Sequence, residues 1–208
     1  MAKLVKWISV VCFGAAFLAA GFVPCDAQVQ AVRAKFGILI KSGDQETRAR
    51  GKDRLKAGDK LRIYVVPEES SWIYVVHSDG KNVTLLKKVE KSVPASLLTL
   101  PSSGEFYQVD GSSPVETITI VCSPEEVKEL SALAGSQAPV EKWKEMEKEL
   151  MRRGELELGQ KAEKPFPIAG NVRGEKSGPP NADVFPEQLQ IYSGNTLLVK
   201  QYEFSVKK

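Results

Sequence analysis

The chain has 208 residues, a formal net charge of +3 at pH 7 and a single histidine. So small a charge gives no electrostatic basis for binding nucleic acid, and we therefore expect no nucleic-acid partner. One histidine excludes a zinc site built on histidines, and no glycine-rich nucleotide motif occurs, so we expect no metal and no cofactor.

Residues 1–27 are predicted to be a secretory signal peptide. Two lysines precede an uncharged apolar run over residues 7–23, and Cys25 and Ala27 are small residues at the two positions that signal peptidase reads. Cleavage after Ala27 predicts an exported protein, periplasmic or extracellular, that meets the membrane only through this segment during export. An uncleaved N-terminal anchor is the alternative.

Residues 28–208 are predicted to form a single β-rich domain with a sheet core over residues 35–122. Its first strand is expected at residues 35–41. Residues 42–56 are polar and charged, so we expect a loop or a poorly formed strand there. Leu55 is expected to touch the core, and the arginines and lysines of this segment to lie in solvent.

The central stretch of the chain, residues 60–86, predicts the fold class. Three segments are rich in β-branched and aromatic residues and are predicted strands: residues 61–66, 72–76 and 82–86. The segment 72–76 is apolar on both faces, which is typical of a strand covered on both sides. We therefore predict a mainly β fold with two peripheral α-helices, built as an antiparallel β-sandwich-like or partly closed sheet.

Two further strands are predicted at residues 105–109 and 115–122. In the second, threonines and isoleucines alternate, which indicates a half-buried strand. Cys122 ends this run, and export with signal cleavage would remove the other two cysteines, so no internal disulfide is expected. We expect Cys122 to be a small buried hydrophobic residue rather than a nucleophile.

Residues 124–153 are predicted to hold two helices. The first, over 124–134, begins at a capping box formed by Ser123 and Glu126. The second, over 139–153, carries an apolar stripe at helical spacing: Val140, Trp143, Met146, Leu150 and Met151. This stripe is expected to pack on the sheet; the alternative is that Trp143, Met146 and Leu150 bind a partner.

The C-terminal part of the chain is predicted in two pieces. Residues 159–187 contain several prolines and glycines and no clear period, so we expect a long surface segment. Residues 188–206 show strand-like alternation on both sides of a Ser-Gly-Asn turn, so we expect a closing β-hairpin.

With the strands placed, three motifs carry a resemblance to a known family: residues 58–67 (GDKLRIYVVP), 72–81 (WIYVVHSDGK) and 116–124 (ETITIVCSP). They resemble the bacterial family catalogued as domain of unknown function 4384, over roughly residues 36–133. One departure is the sequence Leu-Leu-Lys-Lys at 85–88, where the family often has a Leu-Phe-Pro-like segment. The resemblance implies an exported or kinase- or peptidase-associated accessory domain, and it carries no catalytic residues to this chain.

No residue pattern predicts catalysis. His77 is followed closely by Asp79 but has no nucleophile elbow to serve, so it is expected to be a strand-end residue. The neighbouring acids Glu68 and Glu69 lie in a predicted turn, where solvated charges are expected rather than a sugar-cleaving pair. We therefore expect a protein that is not an enzyme.

The predicted function is that of an accessory domain in the bacterial cell envelope that binds a protein partner. The alternative is a glycan- or peptidoglycan-binding module that stacks sugar rings on the sheet aromatics. The residues predicted to contact either partner are the helix residues already named and two strand aromatics, Trp72 and Tyr74. Burial of these aromatics in the core is the competing interpretation.

Overall fold

The computed structural model describes residues 31–135, 138–154 and 185–207, and these form two β-sheets packed face to face. In chain order the strands are β1 (Val32–Ser42), β2 (Gln45–Arg48), β3 (Lys52–Lys56), β4 (Lys60–Pro67), β5 (Trp72–Ser78), β6 (Asn82–Val89), β7 (Leu98–Leu100), β8 (Tyr107–Gln108), β9 (Val115–Ser123), β10 (Ala138–Pro139), β11 (Gln190–Gly194) and β12 (Leu198–Lys207). The helices are α1 (Lys128–Ser131), α2 (Val140–Gly154) and a 3-10 helix (Phe185–Gln188). The predicted mainly β fold with two helices is confirmed, and its sheets stay open.

Within the described residues, each sheet contains six strands. In sheet A the order is β11-β1-β4-β7, with β2 also paired to β1 and β8 to β4. In sheet B the order is β10-β6-β5-β9-β12-β3. All pairings are antiparallel except that of β12 with β3, which is parallel.

The main core lies between the two sheets. Alternate residues of β1 and β4 point inward from sheet A, because side chains alternate faces along a strand. They meet alternate residues of β5, β9 and β12 from sheet B, as in other face-to-face sandwiches. The fully buried residues of this layer include Phe36, Ile38, Ile63, Val65, Ile73, Val75, Ile120 and Phe204.

The outer face of sheet B is also covered, which explains why residues 72–76 are apolar on both faces. Tyr74 and Val121 point to this side and pack with Leu130 of α1 and with Trp143 and Leu150 of α2. The second helix was predicted over residues 139–153, and α2 confirms it with both ends one residue later in the chain. A smaller cluster on the outer face of sheet A joins Leu39, Tyr64 and Phe185.

The prediction for the first helix was wrong about its start. The helix begins at Lys128, and the capping position is held by Val127 without a side-chain hydrogen bond. The Val127 N–H instead donates to the Tyr74 hydroxyl at 3.0 Å, while the Glu126 carboxylate accepts from Ser131 and Lys88. A tertiary contact to the sheet therefore replaces the local capping box.

The predicted closing hairpin was also wrong. Both strands exist, but β11 pairs with β1 in sheet A and β12 pairs with β9 in sheet B. Between them Gly194 approaches the Leu197 backbone so closely that a Cβ atom would lie 2.1 Å from the Leu197 oxygen. The tight turn therefore sends the chain from one sheet to the other.

Residues 42–56 form more structure than predicted. A turn at Gly43, with a positive φ of 58°, leads into β2, which pairs back onto β1. Strand β3 then pairs with β12, a strand from the far end of the sequence. Leu55 is buried as expected. The predicted signal peptide and residues 159–184 of the predicted surface segment lie outside the described residues.

Candidate functional site

Three of the five predicted contact residues are buried within the chain. Trp143 and Leu150 are each 2% exposed and Tyr74 is 0% exposed. Trp72 and Met146 are half-buried and pack against the same cluster, and the Lys88 ammonium lies 4.9 Å from the centre of the Trp72 ring. Trp143, Leu150 and Tyr74 are therefore core residues, in agreement with the alternative that the helix stripe and the strand aromatics pack inside the protein.

A buried carboxylate anchors α2 to the sheet. Glu147 is 8% exposed, and its carboxylate accepts a hydrogen bond from the Thr119 hydroxyl of β9. Burial raises the pKa of Glu147, and hydrogen bonds from its neighbours only partly oppose that rise. The Trp143 indole N–H lies near this carboxylate but outside hydrogen-bond geometry to it. These contacts belong to the helix–sheet interface.

The open edges of the sheets offer a different kind of surface. An edge strand presents unpaired N–H and C=O groups, and proteins usually protect such edges with charge, proline or short length. The edge strand β3 carries exposed lysines and an arginine, and β6 carries two lysines and is partly covered by β10. Strands β7 and β8 have three and two residues. The C-terminal strand β12 lies between β9 and β3 and is not an edge.

Strand β11 lacks these protections. Its five residues, Gln-Ile-Tyr-Ser-Gly, contain no charge and no proline. One side pairs with β1, and no strand within the described ranges pairs with the other side. Ile191 is 49% exposed on this strand, and Gln190 and Ser193 are exposed too.

The side chain of Tyr192 fixes β11 in place. Its ring stacks on Phe36 with the ring centres 5.6 Å apart, and the Lys200 ammonium lies 4.9 Å from the ring centre. The Tyr192 hydroxyl donates to Gln190 Oε1 at 2.7 Å. After the strand, the N–H of Asn195 donates to the carbonyl of Gly154 at the end of α2. Contacts of the Tyr192 side chain and of the turn after the strand therefore hold β11 in position, while its outer backbone edge stays unpaired within the described ranges.

A shallow groove continues from this edge. β11 pairs with residues 32–36 of β1 and β2 pairs with residues 39–42, both on the side of β1 opposite β4, so the two strands follow one another along one edge. Where they approach, a cavity of about 550 Å³ is lined by Thr47, Arg48, Arg50, Asp53 and Gln188. Arg48 Nη1 donates to the Gln188 carbonyl at 2.7 Å. The Asp53 carboxylate accepts from the Arg50 backbone N–H at 2.6 Å.

The single histidine lies in a second, smaller cavity of about 190 Å³ between the sheets. His77 Nε2 is 3.5 Å from Glu116 Oε2. Two acids at the rim accept hydrogen bonds from the backbone of the turns in which they lie. The Asn82 N–H lowers the pKa of Asp79, and the Ser112 N–H lowers the pKa of Asp110. The hydroxyl groups that line this cavity with His77 are those of the turn residue Ser112 and of Tyr107, and no thiol among the described residues lines it.

Three further features of the described residues concern thiol reactivity, metal binding and membrane-spanning helices. Cys122 is fully buried, and burial raises its pKa to about 12, so its thiol stays protonated. The described residues contain no group of three or more His, Cys, Asp or Glu side chains placed to hold a metal ion. Among the helices of residues 31–135, 138–154 and 185–207, none is long and apolar enough to cross a membrane.

Comparisons of the chain with protein-family models, with curated proteins and with solved structures give no match. The resemblance to domain of unknown function 4384 therefore stays a prediction. The candidate site defined by the structure is the edge of β11 with the arginine groove beside it.

Proposed function

We propose that this chain is a non-enzymatic, exported accessory domain that binds a protein partner by adding an extended segment of that partner to the edge of β11. The observation that carries the proposal is the contrast between β11 and the other edge strands of the described sheets. β11 alone combines five residues, no charge and an exposed large apolar side chain. Such an edge is complementary to another extended backbone.

The chemistry of the edge favours a polypeptide over other ligands. Its unpaired N–H and C=O groups repeat at the spacing of a strand, so a second strand satisfies them in series. Ile191 and Ser193 would flank the added strand on the outer face of the sheet, with Tyr192 beneath it. Main-chain pairing supplies affinity in this mode, and alternate side chains supply specificity.

The glycan alternative has weaker support. Stacking a sugar ring needs an exposed aromatic face, whereas Tyr64 and Tyr74 are both 0% exposed. Trp72 is half-buried and its ring lies close to the Lys88 ammonium. The protein-binding reading therefore agrees better with the positions of these aromatic side chains.

Site-specific photo-crosslinking in cells that produce the full chain tests this proposal. A benzophenone amino acid at Ser193, an exposed β11 position, is expected to crosslink to an extended segment of one partner protein, identified by mass spectrometry. Ile191→Lys, which places a charge on the edge, is expected to remove the crosslink. Leu97→Lys is the matched control, because Leu97 is 48% exposed, as Ile191 is 49%, and lies outside β11.

Two outcomes would contradict the proposal. One is a Ser193 crosslink that survives Ile191→Lys unchanged. The other is a crosslink to a second copy of this chain, which would make the edge a self-association surface.

A further inference from the structure

We infer that the segment bound at β11 is acidic, and that one of its carboxylates docks on Arg48 and Arg50 in the groove beside the strand. This inference rests on the proposed strand addition at β11. It adds the chemical class of the partner segment, which the backbone edge alone does not specify.

The groove lies a short distance from β11 along the same edge of sheet A. Gln190 of β11 pairs with Phe36, and Arg48 of β2 pairs with Leu39. These partners lie three positions apart on β1, which is about 10 Å along a strand. A segment that pairs with β11 and continues past Gln190 therefore reaches Arg48 within about three residues.

The groove carries two arginine side chains, Arg48 and Arg50, that can bind a carboxylate. Both residues are exposed. Arg48 is oriented by its hydrogen bond to the Gln188 carbonyl, a neutral acceptor, and no carboxylate within the described ranges forms an ion pair with it. Among the described residues the Arg50 side chain has no ion-pair partner, and the Asp53 carboxylate in the same groove accepts from the Arg50 backbone N–H. Guanidinium groups have the planar donor geometry that a carboxylate accepts in a bidentate manner.

The charged side chains around the groove favour an acidic ligand. Two acids that lie near the groove already have partners: Glu46 lies 3.4 Å from Lys41, and Glu203, whose backbone N–H donates to the Gly51 carbonyl, lies 4.0 Å from Lys52. The lining itself contains two arginines and one aspartate, which leaves an excess of positive charge. An acidic segment is therefore attracted to this end of the edge, and a basic segment is repelled.

A second copy of this chain fits the groove less well. If β11 paired antiparallel with its own copy, the residues reaching Arg48 would follow Gly194 of the copy, and these are Asn195, Thr196 and Leu197. None of them carries a carboxylate. The charge of the groove thus favours a different polypeptide as the occupant.

Three synthetic peptides test the inference by fluorescence anisotropy with the full chain. They share a core of alternating threonine and valine and carry glutamate, glutamine or lysine pairs at both ends. The glutamate peptide is expected to bind about tenfold more tightly than the glutamine peptide, the factor of one charge-assisted hydrogen bond. The lysine peptide is expected to bind most weakly, and added salt should narrow these differences.

Variants of the chain assign the preference to the groove. Arg50→Gln with Arg48→Gln is expected to bring the glutamate and glutamine peptides to equal affinity, with an unchanged thermal midpoint because both side chains are exposed. Lys148→Gln removes an exposed charge on α2, away from the groove, and is expected to leave the preference intact.

The outcomes separate this inference from the proposed function. Suppose that the glutamate and glutamine peptides bind equally tightly and that Ile191→Lys abolishes the binding of both. This result would overturn the inference that the bound segment is acidic, and it would still support strand addition at β11. Binding of no peptide at β11 would overturn both. A glutamate preference that survives the double arginine variant would overturn the assignment to Arg48 and Arg50.

Discussion

The Tyr74 hydroxyl accepts a hydrogen bond from the Val127 N–H at 3.0 Å and lies 3.3 Å from the Ser131 hydroxyl. This contact joins the outer face of sheet B to the first turn of α1, and it satisfies a backbone donor that a local cap would otherwise satisfy. The aromatic side chain at position 74 thus acts as both a core residue and a helix cap.

Tyr74→Phe is expected to lower the free energy of unfolding by about 1–2 kcal/mol, because it leaves the buried Val127 N–H without its acceptor. Urea denaturation checks the value. Tyr107→Phe is the matched control, since Tyr107 is half-buried and its hydroxyl has no hydrogen-bond partner among the described residues, and its effect should stay within about 0.5 kcal/mol. Equal losses in the two variants would contradict a capping role for Tyr74.

Glu147→Gln is expected to stabilise the protein at neutral pH. Burial raises the pKa of Glu147 in the folded state above its usual value of 4.5, so the folded chain holds this proton more tightly than the unfolded chain does. Its contribution to stability is therefore full below about pH 4.5 and declines as the pH rises through the folded pKa.

Denaturation at several pH values measures this effect. The advantage of Glu147→Gln over the unchanged chain should grow from pH 4 to pH 7. Glu145→Gln, at an exposed position of the same helix, should show no such growth. A constant difference across this range for Glu147→Gln would count against the burial effect.

Gly37→Ala is expected to disturb the support of β11. A Cβ atom at position 37 would lie 2.6 Å from Leu189 Cδ2 and 3.0 Å from Phe185 Cε1, so the segment leading into β11 must shift. We expect a loss of about 1–3 kcal/mol in stability together with weaker binding at the edge. Gly104→Ala is the control, because a Cβ atom there meets nothing within 4 Å. Unchanged stability in Gly37→Ala would show that this packing is loose.

Cys122 is expected to resist thiol reagents in the folded protein. Its side chain is buried, and burial raises its pKa to about 12. After iodoacetamide treatment at pH 8, mass spectrometry of the peptide that contains Cys122 should find no alkylation without urea and complete alkylation in urea. Alkylation at equal rates in both conditions would mean that sheet B opens readily at this strand.

The sequence predicted individual strands better than their partners. The two apolar faces of residues 72–76 correctly indicated a covered central strand, because burial on both faces leaves a local pattern. The alternation in residues 188–206 correctly indicated strands, but it contained nothing to show that β11 and β12 join different sheets. Pairing depends on residues far away in the chain, as the parallel pair of β3 and β12 also shows.

The sequence did not predict the candidate site, because that site also depends on pairings between residues far apart in the chain. Arg48 and Arg50 lie in a charged segment that was interpreted as a solvated face, and their approach to β11 follows from pairings with β1. The absence of charge in residues 190–194 is visible in the sequence, but it acquires meaning only once β11 is known to be an edge. In contrast, Trp143 was proposed as a contact because its helical spacing is the same for a buried and for an exposed face.

The most direct test of strand addition is amide hydrogen exchange along β11 in the full chain, with and without the glutamate-flanked peptide. We expect slower exchange on peptide addition at alternate residues from Gln190 to Gly194, whose N–H groups face away from β1. The charged edge strand β3 should show no change. Unchanged exchange in β11 with the peptide in excess, or equal protection of β3, would contradict strand addition at β11.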